Sequence, residues 1–253
     1  MVLSDRMMTS VVMRLGARAL AAGRLELTVT GLDHIPRDGP ALLVARHYHH
    51  LFDGVVLLLS LPRPIHILVT LDWATHPWVR RLMTLVTRMA RWPVVLRSDA
   101  LRINGSKVPG VIDIKRYQRS IVKDAVTLIA EGSVLVIFPE GYPNIDPHYT
   151  PKRGPEDFLP FKTGFATIAA AAEKRLGIKV PIVPGGLRYT KDRRWKAQLN
   201  FGAGFYVGEF ASRRLLVRHT ERRVMELSGG GSNDAISLFT HPLCLSQQDW
   251  PMH

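Results

Sequence analysis

The stretch ALLVARHYHHLFDG, Ala41 to Gly54, decides how the chain is read. The unbroken apolar run Ala41–Ala45 predicts a strand covered on both faces, as in a parallel sheet. Arg46 ends the run, and His47, His49, His50 and Asp53 follow before Gly54. Packing alone does not call for so many ionisable groups at the mouth of a strand. Open α/β sheets place their chemistry just outside the carboxyl ends of their strands. An imidazole held by a carboxylate is the minimal unit for activating a hydroxyl. The stretch therefore predicts a His–Asp base, with a polar surface loop or a metal site as alternatives.

Outward from it, apolar runs alternate with helical patterns. Residues 25–30 (LELTVT), 65–70 (IHILVT), 94–96, 133–138 (SVLVIF) and 180–183 read as strands. Residues 54–61, 78–90, 114–130, 165–176 and 213–227 read as helices, and Gly132 closes the third of them. One or two antiparallel strands are expected across 195–207. This alternation predicts an α/β fold with a mostly parallel central sheet flanked by helices. Residues 3–22 predict an N-terminal amphipathic helix, with Met7, Met8, Val11, Val12, Leu15, Ala19 and Leu20 on one side and arginines on others. The expected organisation is a docking helix over 1–24, one domain over 25–228 and a flexible tail over 229–253.

The 253 residues carry 34 Lys and Arg against 21 Asp and Glu, a net charge of +13. That excess favours a polyanionic partner: anionic lipid, a phosphorylated substrate or nucleic acid. The chain has no nucleic-acid motif, glycine-rich nucleotide loop or P-loop, so nucleic acid is not expected. A single cysteine, Cys244, excludes an intramolecular disulfide and a Cys-rich zinc site. The most apolar run, Val55–Leu61, stops at Pro62 and is far short of the ~20 residues of a bilayer span. Arginines interrupt the N-terminus, which does not read as a secretory signal. Any membrane contact is expected to be peripheral, at the cytoplasmic face.

Polar clusters follow four of the strands. They are His47 to Asp53, Arg97, Glu140-Gly141 and Pro184-Gly185-Gly186. Parallel strands would bring all four to one edge of the sheet. The chemistry they suggest is acyl transfer to a hydroxyl. A histidine takes the proton, and Asp53 fixes its tautomer. Arg97 holds a phosphate, and the Gly141 amide donates to an oxyanion. With no evident serine or cysteine nucleophile, direct transfer from a thioester is the natural route.

In this order the motifs resemble those of the glycerolipid acyltransferases typified by 1-acylglycerol-3-phosphate (lysophosphatidate) acyltransferase. LELTVTGLDHIPRDGPALLVARH is similar to the family's opening strand, its turn and the strand leading to the catalytic histidine. WPVVLR, ending in Arg97, resembles the second motif, whose arginine binds glycerol phosphate. FPEG, Phe138 to Gly141, matches the third nearly verbatim. FKTGFATIA resembles a helix start with its lysine at Lys162, and VPIVPGGLRY resembles the fourth motif. The resemblance covers roughly residues 25–210. It implies the glycerol-3-phosphate acyltransferase-like fold and substrate contacts at Arg97, Glu140, Gly141 and Lys162. It also implies an acyl-CoA or acyl-carrier-protein donor, a lysophospholipid acceptor, an anionic membrane surface, and no metal or bound cofactor.

Two departures stand out. The family places four residues between its histidine and aspartate, and counting back from Asp53 reaches Tyr48. His47 has the better strand context. His49 sits at i, i+4 from Asp53, can meet it at a helix start, and is slightly favoured. His50 reads as structural. HHLFDG is also one residue short of the H-H-x-x-x-D-G motif of another acyltransferase group. Secondly, Tyr142-Pro143-Asn144 replaces the Thr-Arg/Asn-Ser that follows the third motif, removing a phosphate-binding cation. Lys152, Arg153 or Lys162 can substitute, or the acceptor lacks a phosphate. A catalytically silent lipid-binding protein is the alternative function, and a metal-dependent hydrolase at His47, His49 and Asp53 a minor one.

Overall fold

The computed structural model describes residues 2–71, 73–95, 114–147 and 149–229. Along the chain run α1 (Val2–Ala21), β1 (Leu25–Thr30), β2 (Ala41–Ala45), α2 (Phe52–Ser60), β3 (Ile65–Ile67) and α3 (Pro77–Met89). They are followed by α4 (Ile114–Ala130), β4 (Val134–Ile137), α5 (Gly164–Leu176), β5 (Ile182–Lys191), β6 (Trp195–Phe201) and α6 (Arg213–Leu227). Of the expected strand at 94–96, Val94 pairs with Val69, Val95 N donates to Val69 O at 2.7 Å, and Leu96 lies outside the described residues. Arg97 and the expected tail from 230 onward lie outside the described residues.

The strands form one sheet in the order β1-β6-β5-β2-β4-β3. Neighbours are parallel except β5 and β6, a hairpin across a short Asp192–Arg194 connection. β2 lies at the centre with all five residues buried. Its side chains alternate, as the pleat requires. Ala41 and Leu43 enter a core layer with Ala17, Val55, Val56 and Leu57 of α1 and α2. Leu42 and Val44 enter the opposite layer with Ile129 of α4, Phe165 of α5 and Val224 of α6. The sheet thus has helices on both faces.

β5 corrects one expectation. It runs well beyond residue 183 and takes Pro184-Gly185-Gly186 into the sheet, where Gly185 pairs with Ala45 and Phe201. The glycines are not a cluster beyond a strand end. A Cβ on Gly186 would lie 2.2–2.4 Å from the backbone of Leu227 and Ser228. Glycine here lets the end of α6 cross β5.

Candidate active site

β2 delivers its polar continuation where β4 delivers Phe138 to Gly141, because the two strands are parallel neighbours. Asp53 lies in the first turn of α2 and is buried. Its carboxylate turns back over the connection from β2, as acidic residues near helix starts do. Oδ2 accepts from Tyr48 N at 2.7 Å, and Oδ1 from His49 N at 3.0 Å. Its side-chain partner in this stretch is His47 Nδ1, 2.8 Å from Oδ2. A carboxylate at that distance makes Nδ1 the protonated nitrogen and leaves Nε2 as the proton acceptor. Phe138 stacks on the imidazole, with ring centroids 4.5 Å apart and planes 16° from parallel.

The favoured pairing of His49 with Asp53 is therefore corrected: His47 makes the side-chain bond. Asp53 does meet His49 at i, i+4, but through the main chain: Asp53 N donates to His49 O at 3.2 Å and His49 N to Asp53 Oδ1, so the His49 ring is not the partner. Its Nδ1 instead accepts from Leu51 N and Phe52 N at 3.2 and 3.3 Å, satisfying orphan donors at the start of α2. Its ring lies among His50, Phe52, Tyr189 and Trp195. Burial there pushes its pKa down to about 4, so it is neutral at physiological pH.

Glu140 also differs from expectation, whereas Gly141 lines the same cavity as His47 and Asp53 but does not offer its amide. Glu140 is buried and accepts from His47 N at 2.9 Å and Leu159 N at 3.0 Å. It faces the protein, not a substrate. The Gly141 N–H donates to Phe138 O at 3.1 Å, closing the turn after β4. That turn, with Gly141 at φ 79°, takes up the donor expected for an oxyanion. Lys162 is exposed and lies against Gly141, with Nζ 5.7 Å from the Tyr142 ring centroid. Lys152 is no free phosphate cation. It is buried and ion-paired with Glu140 at 2.6 Å.

A cavity of about 400 Å³ reaches this pair. His47, Asp53, His50 and Phe138 line it. Its apolar wall comes from Met13 and Ala17 of α1, Leu58 of α2, Ile67 of β3, Leu82 and Val86 of α3, and Trp92. Sequence reasoning missed His50, Phe138 and Trp73 as site residues. His50 lines the cavity and packs on Trp73, with ring centroids 5.6 Å apart. Phe138 could have been found from its place in FPEG, because the residue ending a strand beside the base is a natural stacking partner.

The geometry is that of a His–Asp pair beside a largely apolar cavity. The acyltransferase family model matches residues 26–188, well over half the chain. The chain belongs to the acyltransferase family. In sequence it is similar to an uncharacterized protein of Mycobacterium bovis and to one of Mycobacterium tuberculosis. Each is 31% identical over 62% of this chain and 35% of its own length. The chain thus spans about a third of the length of these curated relatives. In fold it is similar to the 1-acyl-sn-glycerophosphate acyltransferase PlsC from Thermotoga maritima, with a TM-score of 0.59 and 17% identity. That match covers 88% of this chain and 78% of the other. A curled, mostly parallel sheet with helices on both faces is accordingly the architecture of this family member.

Proposed function

We propose that the protein transfers a fatty acyl group from an acyl thioester, acyl-CoA or acyl-carrier protein, to the hydroxyl of a lysophospholipid such as 1-acylglycerol-3-phosphate. The observation that carries this reading is the His47–Asp53 pair in the lining of a largely apolar cavity. His47 Nε2 takes the proton of the acceptor hydroxyl. The oxygen attacks the thioester carbonyl, the C–S bond breaks as the C–O bond forms, and the imidazolium returns its proton to the leaving thiolate. Asp53 stabilises the imidazolium without itself being protonated. The fold shared with PlsC agrees with a lysophosphatidate-like acceptor.

One observation favours a second acceptor class. No lysine or arginine lines the cavity among the described residues, and Lys152 is consumed by Glu140. Within the described residues Lys162 lies beside Gly141, a cavity-lining residue, and is a cation that can meet a phosphate there; Arg153 is exposed as well. Arg97, which the second motif assigns to that task, lies outside them. With none of these engaged, the acceptor carries no phosphate. A panel of lysolipids with one acyl-CoA, read by thiol release and product mass, decides between the two classes. Product with no acceptor in the panel, while the protein is folded, overturns the transfer reading in favour of a silent lipid binder.

The same reading places the protein peripherally on an anionic membrane, at its cytoplasmic face. No helix among the described residues is long and apolar enough to cross a bilayer. Two helices that line the cavity do present apolar side chains to solvent. α1 exposes Met8, Val11, Val12 and Leu15, and α3 exposes Trp78, Leu82, Leu85 and Met89. Arg80, Arg81 and Arg88 on α3, and Arg18 on α1, supply exposed cations for anionic head groups.

A further inference from the structure

His47 lies between β2 and α2, where neither a sheet ladder nor a helix holds its main chain. Two buried side chains do so instead. Its N–H donates to Glu140 Oε1 at 2.9 Å, and its carbonyl accepts from Lys152 Nζ at 2.8 Å. These side chains are paired with each other, Nζ to Oε2 at 2.6 Å, and neither has any exposed side-chain surface. The third ammonium hydrogen goes to Asn144 Oδ1 at 3.0 Å. Every donor of Lys152 is thus spent.

The arrangement has a geometric consequence. The peptide plane before His47 is fixed by the carboxylate and the plane after it by the ammonium. Together they fix φ and ψ, and hence the direction of the Cα–Cβ bond. Asp53 and Phe138 then fix the ring. A fully buried ion pair is weak evidence for stability, since apolar replacements are often as stable. Its better-attested use is to specify one arrangement.

We propose that Lys152 and Glu140 form a two-sided clamp on the main chain of His47, and that Lys152 is a positioning residue for the base. Lys152 falls in the irregular segment after FPEG, outside every motif of the family resemblance. The clamp also ties that segment to the site: Asn144, which receives Lys152, donates to Gly154 O and Asp157 O. The proposal rests on His47 being the base of the transfer, but its main test needs no substrate.

The test is heteronuclear NMR of protein labelled with ¹⁵N at histidine, the His47 signals being assigned by their loss in His47→Gln. The wild type should show one tautomer, Nδ1 protonated and Nε2 bare. Lys152→Met, and the neutral pair Glu140→Gln/Lys152→Met, should remain folded by circular dichroism yet show a mixture of tautomers. Lys152→Arg should restore part of the single-tautomer signal. A wild-type pattern in either folded Met variant overturns the clamp. If neither variant folds, amide exchange in the wild type decides, because a His47 N–H that exchanges as freely as in an open loop has no buried acceptor. With an active acceptor, Lys152→Met should lower kcat about ten- to a hundredfold with KM little changed, and an unchanged kcat also overturns it. Absence of turnover with every lysolipid refutes the acyl-transfer reading and leaves the NMR outcome standing.

Discussion

At the residue scale the site turns on Asp53. It accepts from two main-chain N–H groups and one imidazole while buried. Removing it frees the ring and leaves those two amides unpaired. Asp53→Asn or His47→Ala should lower kcat by about 10²–10⁴, measured as thiol release. His49→Gln should stay within a few-fold of wild type, and a loss as large as that of His47→Ala would return the base to His49. His49 makes a second prediction, on stability. Its folded pKa of about 4 lies below its ordinary value of 6.5, because burial disfavours the charged ring. As pH falls below 6.5 the unfolded chain takes up the proton first, so stability is lost progressively down to pH 4, by up to about 3 kcal/mol. Burial lowers His50 and His66 in the same sense. Melting temperatures between pH 7 and pH 4.5 should fall less steeply in His49→Gln, and parallel curves would refute the assignment. Residue type and order made Asp53 legible in the sequence, along with a histidine partner. Which histidine was not legible, because the choice depends on how the connection from β2 turns, which gives Asp53 the ring of His47 and only the main chain of His49. The fate of Glu140 was hidden for a related reason: its partner Lys152 arrives from a segment with no periodicity.

At the element scale the sequence was most legible where periodicity was long. The bounds of α4 and α6 agree with their apolar spacing, and β2 with its unbroken apolar run. β3 is shorter than IHILVT suggests, because its residue pairing with β4 ends at Ile67 and Val69 pairs with Val94 instead. β5 is longer than 180–183, because a central strand tolerates Pro184 and two glycines where a helix end must pass close by. Gly186→Ala should therefore destabilise by about 1–3 kcal/mol through overpacking against Leu227 and Ser228. Urea unfolding would show this as a lower midpoint at constant slope, and an unchanged midpoint would mean that α6 shifts freely. What periodicity could not give is which side of an amphipathic helix faces inward. α3 packs through Thr87 and leaves Trp78, Leu82, Leu85 and Met89 outside. Leu82→Ser/Leu85→Ser should weaken sedimentation with anionic vesicles about tenfold or more, since each leucine carries roughly 2 kcal/mol of burial. Equal binding by the variant would leave α3 out of the membrane contact.

At the scale of the whole molecule the sheet is a partition. α1, α2 and the cavity lie on one face, and α4, α5 and α6 on the other. The chain's positive charge is spread over both. Arg213, Arg214, Arg218, Arg222 and Arg223 make α6 strongly basic; from sequence a solvated face is its default reading and anionic lipid the sharper one. The partition separates the two. A bilayer lying against α1 and α3 meets the cavity that both helices line, while α6 lies on the far side of the sheet. Screening at physiological salt confines its field to about 8 Å, much less than two packed layers. Arg214→Glu/Arg218→Glu should therefore leave vesicle binding unchanged within about twofold, although it removes as much positive charge as a comparable change on α3. Arg80→Glu/Arg81→Glu, equal in formal charge, should reduce binding to anionic vesicles and lose most of its effect in high salt. If the two double variants weaken binding equally, the membrane reads net charge alone and the two-helix face has no special role. If only the α6 variant weakens it, the protein docks by the opposite face and the cavity opens away from the lipid.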